Sequence, residues 1–144
     1  MIAVDTNILV YAHRRDSEWH GEAASALKSL AEGRTPWAIP WPCVHEFLAV
    51  VTHARIYTPA TNTETALDQV QAWMESPTLT LLAEGPGYSD RLVQVLKASK
   101  VAGGKIHDAR IAALCLYHGV RELWTADRDF TRFRDLTVHN PMVR

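Results

Sequence analysis

The sequence predicts an α/β fold: one compact domain over residues 1–144, with a mainly parallel central sheet covered on both faces by helices. Three observations predict it. Short apolar runs without polar alternation, Ile2-Ala-Val4 first among them, read as strands buried on both faces. Between these runs lie segments whose apolar residues recur at helical spacing, the pattern of parallel strands joined by crossover helices. A hydrophobic content of 47% with 5 Trp is enough to fill one core, and no repeat, low-complexity tract or long linker divides the chain.

Taken in order, Ile2–Val4 is the first strand, Asn7 to Ala12 a short helix and His13 to Ser17 a polar turn. Ala23, Ala24, Leu27, Leu30 and Ala31 mark a second helix, ended by Glu32-Gly33. Trp37 to Pro40 is a brief strand between two prolines. Pro42 opens a helix whose apolar face is Cys43, Phe47, Val50, Val51 and Ala54. Arg55 to Thr61 is a loop broken by Pro59. Asn62 or Thr63 caps the next helix, which carries Ala66, Leu67, Val70, Trp73 and Met74 and stops at Ser76-Pro77. Thr78 to Ala83 is β-rich. Gly85-Pro-Gly87 then turns the chain into a helix with Tyr88, Leu92, Val95 and Leu96 on one face, and Ala102-Gly-Gly104 ends it. A helix from His107 to His118, a strand from Glu122 to Thr125, a turn or short helix from Asp127 to Arg134, and a strand from Leu136 to His139 complete the chain.

Composition narrows the function. A formal net charge of -1 and a pI near 6.6 give no global basic field, so contact with nucleic acid must rest on a local patch. Cys43 and Cys115 lie far apart without CxxC spacing, as two small buried hydrophobes in a reducing compartment would. No stretch approaches the ~18 apolar residues of a membrane span, and the N-terminus has no basic region before a long apolar run. The expectation is a soluble, cytoplasmic protein without membrane contact.

The acids carry the chemistry. Asp5 follows the first strand directly, where the carboxyl ends of parallel strands face a ligand crevice, although Asp5, Thr6 or Asn7 also suits a helix N-cap. Glu46 stands at the edge of the buried face of the Pro42 helix. Asp108 is in register with Ile111, Ala112 and Cys115 on an inward stripe, so it needs a partner. Asp127 and Asp129 follow the strand that ends at Thr125, and both compete for the last acidic position. Thr125 favours Asp127, because its hydroxyl and that carboxylate lean toward the same crevice. Asp129 is then placed to cap the short helix bearing Phe130 and Phe133. Each pair of like charges about 4 Å apart costs on the order of 4 kcal/mol at intermediate dielectric. Raised pKa values or a divalent cation relieve that cost, and an all-oxygen donor set selects Mg²⁺ or Mn²⁺.

The segments Val4-Asp-Thr-Asn7, Glu46-Phe47, His107-Asp-Ala-Arg-Ile-Ala112 and Thr125-Ala-Asp-Arg-Asp-Phe130, in that order, resemble the PIN-domain ribonucleases, and most closely the VapC toxins of bacterial toxin-antitoxin pairs. The likeness covers nearly the whole chain, with least of it between Arg55 and Gly87. It implies a metal-dependent endoribonuclease in which Asp5, Glu46, Asp108 and Asp127 form the acidic, metal-binding site and Thr6, Asn7 and Thr125 orient it. It also implies a homodimer and an antitoxin that inserts a segment into the cleft. The residues leave open whether Glu46 holds a second ion or acts as a base toward water. For gripping RNA the local cations are Arg14 and Arg15, Lys100 and Lys105, and Arg110 and Arg128, taken as a group around one cleft.

Rival readings come from other classes. Of the 7 histidines, His45 and His107 adjoin motif acids, and a histidine pair would serve an acid–base ribonuclease. Neighbours in a helix diverge by about 100° per residue, however, so packing or capping is expected for His107 and exposure for His13. A phosphoacceptor receiver domain would need paired acids near the first strand and a central acceptor Asp, and the chain has neither. A catalytically silent binding module remains the alternative that RNA cleavage would separate.

Overall fold

The structure is a computed structural model and describes residues 1–143. Its strands are β1 (Ile2–Val4), β2 (Trp37–Pro40), β3 (Leu79–Leu82), β4 (Glu122–Trp124) and β5 (Thr137–His139). Its helices are α1 (Thr6–His13), α2 (His20–Ala31), α3 (Trp41–Val51), α4 (Thr63–Met74), α5 (Tyr88–Ser99) and α6 (Ile106–Tyr117). The expected fold class holds: one five-stranded sheet, parallel throughout, in the order β3-β2-β1-β4-β5.

That order positions the site. From β1 the chain moves one way to β2 and β3, then crosses β1 to continue through β4 and β5. The reversal opens a crevice at the carboxyl ends of β1 and β4, where a doubly wound sheet receives its ligand. Val4 is in register with Trp124, and the Asp5 amide donates to the Trp124 carbonyl at 3.0 Å. Asp5 and Thr125 therefore sit level across the crevice floor. The floor is rigid because Ala3, Val4 and Leu123 beneath it are wholly buried.

Element ends follow local chemistry. Asn62 caps α4, its side chain accepting from the Thr65 amide at 2.8 Å. Gly87 takes φ 81° just before α5, a conformation that a Cβ would strain. Several details depart from the sequence expectation. Helix α3 ends at Val51 and leaves Ala54 exposed in the loop, while Val44 rather than Val50 completes its buried face. In α4, Ala66, Val70 and Trp73 face inward, whereas Leu67 and Met74 are exposed at 51% and 43%. The reason is geometric: five apolar positions span a wider arc than the stripe that the neighbouring helix covers. The segment from Asp127 to Arg134 is a 3-10 turn over Arg128–Arg132. Among the described residues no helix is long and apolar enough to cross a membrane.

Candidate active site

Asp5 caps α1 and lines the candidate cleft with the same carboxylate. Its Oδ1 accepts from the Thr6 amide at 2.7 Å and from the Cys43 thiol at 3.6 Å. Its Oδ2 accepts from the Thr125 hydroxyl at 2.7 Å and from the Asn7 amide nitrogen at 3.4 Å. Asp5, Thr6 and Thr125 are the buried polar side chains among the described residues, at 5%, 5% and 1% exposure. An anion so placed needs all of these donors. Burial nevertheless dominates and pushes the Asp5 carboxyl up to about 6; the Thr125 and Thr6 bonds oppose the shift and the charge of Glu46 adds to it.

A second layer of hydrogen bonds fixes the donors. Asn7 donates to Thr125 Oγ1 at 3.1 Å and accepts from the Ala126 amide at 3.1 Å, so one side chain staples the segments after β1 and β4 together. The Asp127 amide also donates to Thr125 Oγ1, at 3.0 Å. Thr6 Oγ1 donates to Glu46 Oε2 at 3.2 Å and thereby links α1 to α3. The three orienting positions expected at Thr6, Asn7 and Thr125 thus bond directly to the acids.

Asp5, Glu46, Asp108 and Asp127 line one open cleft of about 280 Å³, together with Thr6, Asn7 and Tyr11. Asp108 stands in the first turn of α6, half-buried, and desolvation raises its pKa while the nearby Lys105 ammonium lowers it. The roles of Asp127 and Asp129 differ from expectation. Asp127 caps the 3-10 turn, its Oδ1 accepting from the Asp129 amide at 2.8 Å. Asp129 does not cap. Its carboxylate pairs with Lys105, which holds it below the usual carboxylate range. The 3-10 turn begins at Arg128, two residues earlier than the helix assumed from the Phe130–Phe133 spacing, and this moves the capping position onto Asp127.

The cations do not surround one cleft. Arg14 pairs with Asp16 at 2.6 Å, donates to the Pro59 carbonyl at 3.0 Å and lies over the Tyr57 ring, so it buttresses a loop. Arg15 lines a separate hollow beside it. Lys105 reaches Asp108 at 3.7 Å, and Arg110 pairs with Glu84 at 3.3 Å at the cleft mouth. Arg128 is exposed, and Lys100 lines a different groove altogether. Spacing along the chain placed these residues near motif acids, but helix direction carries their side chains apart.

The histidines also depart from expectation. His13 is half-buried, bonded to Gln69 and Thr61 at 3.1 Å each, with its ring edge-on to Phe47. His45 and His107 are exposed and line a hollow that shares Glu46, Asp108 and Ile111 with the acidic cleft.

Sequence reasoning missed Cys43 as part of the site. Both cysteines are free and buried, as expected, but the Cys43 thiol points at Asp5. Burial raises its pKa well above the ordinary thiol value, so it stays protonated and donates. Its position four residues before Phe47 on the apolar face was the only signal, and it reads equally as packing. Cys43→Ser keeps a donor of similar size, whereas Cys43→Ala removes it and leaves a void. The alanine variant is expected to lower stability by roughly 1–2 kcal/mol and the serine variant by less, read from urea denaturation midpoints.

The profile of the PIN domain family matches residues 2–136. Ribonuclease VapC43 of Mycobacterium tuberculosis is 34% identical over 142 residues, covering 99% of this chain and 96% of that protein. Among solved structures, a chain of the Rickettsia felis VapBC2 complex bound to a DNA fragment from their promoter superposes with a TM-score of 0.69 at 20% identity, covering 97% of this chain and 98% of that one. The Mycobacterium tuberculosis VapC20, a Sarcin-Ricin loop cleaving toxin, gives a TM-score of 0.66 at 14% identity and covers 91% of this chain and 93% of that one.

Proposed function

Because this chain belongs to the PIN domain family, we propose that it is a Mg²⁺- or Mn²⁺-dependent endoribonuclease, the toxin of a toxin-antitoxin pair. The observation that carries the reading is the convergence of four carboxylates from four separate segments on one cleft. Such an arrangement opposes folding and has a use once a cation or a phosphate's counter-charge is present. The cleft lining offers oxygen donors, which fit a hard divalent ion. Among the described residues no three acid, histidine or cysteine side chains close into a ready-made cage.

Asp5 and Asp108 would hold the ion, with Asp127 and Glu46 within the same lining. When bound, it supplies positive charge against the scissile phosphate and acidifies water. The protein's share is orientation and proton handling. The short bonds from Thr6 and Thr125 keep the Asp5 carboxylate aimed, and the longer ones from Cys43 and Asn7 add to them. Glu46 is exposed and steered by Thr6 Oγ1, so it can accept a proton from the attacking water. RNA approaches from the mouth bearing His45, His107 and Arg110.

The antitoxin and a second copy of the chain belong to the same proposal. A solved relative is a VapBC complex, and the outward Leu67 and Met74 of α4 offer apolar surface for a partner.

Incubation with total cellular RNA, with Mg²⁺ and with EDTA, tests the activity. Direct attack by water predicts 5'-phosphate and 3'-hydroxyl ends, and loss of cleavage in EDTA. A histidine mechanism is the second reading, favoured by the exposed His45 and His107 beside Glu46 and Asp108. Cyclic phosphate ends, or cleavage that survives EDTA, would move the assignment to that pair.

A further inference from the structure

A concentration of unpaired positive charge lies away from the acidic cleft. Arg91 of α5 and Lys100 just after its end face Arg132 and Arg134 of the connection into β5 across a groove of about 520 Å³, with Asp135 its one acid. Four cations against one acid stand out in a chain whose formal net charge is -1. All four are exposed, and none makes an ion pair among the described residues. Surface arginines without a carboxylate partner are costly to cluster, which makes the groove a receptor for something anionic.

The two sites share one wall. Phe130 lines the acidic cleft and Phe133 the basic groove, and their rings pack against each other with centroids 5.8 Å apart. The short turn over Arg128–Arg132 is therefore the ridge between them. We propose that the groove holds the phosphate backbone of the RNA strand where it continues past the acidic cleft, an inference that rests on the ribonuclease reading. The groove floor sets the mode of contact. Phe133 and Val95 are 3% and 7% exposed, so no aromatic face is free to stack a base. Recognition is of phosphates by arginine forks, independent of sequence. An isologous second copy would set the same cations against one another, which disfavours a dimer contact here.

The test is binding of a fluorescently labelled single-stranded RNA by anisotropy, with EDTA present to prevent cleavage, across a salt series. The double variant Arg91→Ala/Arg132→Ala removes two exposed, unpaired cations, and Lys28→Ala/Arg34→Ala removes two exposed cations elsewhere as a control. At ~0.7 per phosphate, the slope of log affinity against log salt should fall by about 1.4 in the groove variant, or about tenfold in affinity near 0.15 M salt. The control should match wild type. An unchanged slope, or an equal loss in the control, overturns the proposal. Weakened binding of polyglutamate with RNA binding intact also overturns it, in favour of an acidic protein segment. The outcomes separate from those of the nuclease reading. Groove-dependent binding by a protein that fails to cleave removes that reading and leaves the groove, while cleavage with groove-indifferent binding does the reverse.

Discussion

Asp127→Asn is expected to lower the cleavage rate at saturating Mg²⁺ by about 10³-fold while leaving the denaturation midpoint within ~0.5 kcal/mol of wild type. Asp127 has two separable jobs. Oδ1 accepts from the Asp129 amide and holds the 3-10 turn, while the side chain also lines the acidic cleft. Asn caps nearly as well as Asp, so the turn survives and only the charge is lost. Asp127→Ala loses both, and should cost about 1 kcal/mol of stability as well as the activity. Asp129→Asn removes one of the two carboxylate partners of Lys105, the one outside the cleft lining, and should keep most of the activity. Cleavage rates and urea midpoints for the three variants decide the matter. An inactive, fully stable Asp129→Asn would transfer the last acidic position to Asp129.

The second large effect is on stability. Asp5 has a folded pKa of about 6 against 3.8 for the free group, mainly through burial. An acid whose folded pKa is raised binds its proton more tightly in the native state. Its contribution is therefore most favourable below pH ~4 and is lost as the pH rises through about 6. Asp108 shifts in the same direction. At neutral pH the ionised Asp5 costs roughly 3 kcal/mol in metal-free protein. Compared with Asp5→Asn at each pH, wild type in EDTA should lose about that much stability between pH 4 and 7.5. Millimolar Mg²⁺ should restore much of it to wild type through mass action and do nothing for the variant. Equal pH dependence in the two proteins, or an equal response to Mg²⁺, would remove Asp5 from the proposed metal site.

The strand and helix order was legible in the sequence because buried strands and amphipathic helices leave patterns within a few neighbouring residues. Asp5 after Ile2–Val4 and Asp127 after Glu122–Trp124 were legible as well, since the end of a parallel strand is a place in the fold as much as in the chain. Tertiary structure alone decided contacts between residues far apart. Cys43 meets Asp5 across 38 positions and Thr125 meets it across 120, and nothing local marks either as a donor to that carboxylate. The same holds for the cations. Arg14, Lys100 and Arg110 each lie near a motif in sequence, yet α1, α5 and α6 carry them to a loop, to a second groove and to the cleft mouth. Capping was misplaced by two residues, from Asp127 to Asp129, because a 3-10 turn and an α-helix start alike in sequence and differ in where the first free amide points. Sequence determines what each segment is, since that depends on period and on local hydrogen bonding. Which charges face each other depends on helix direction and strand order, and those are fixed only when the whole core packs.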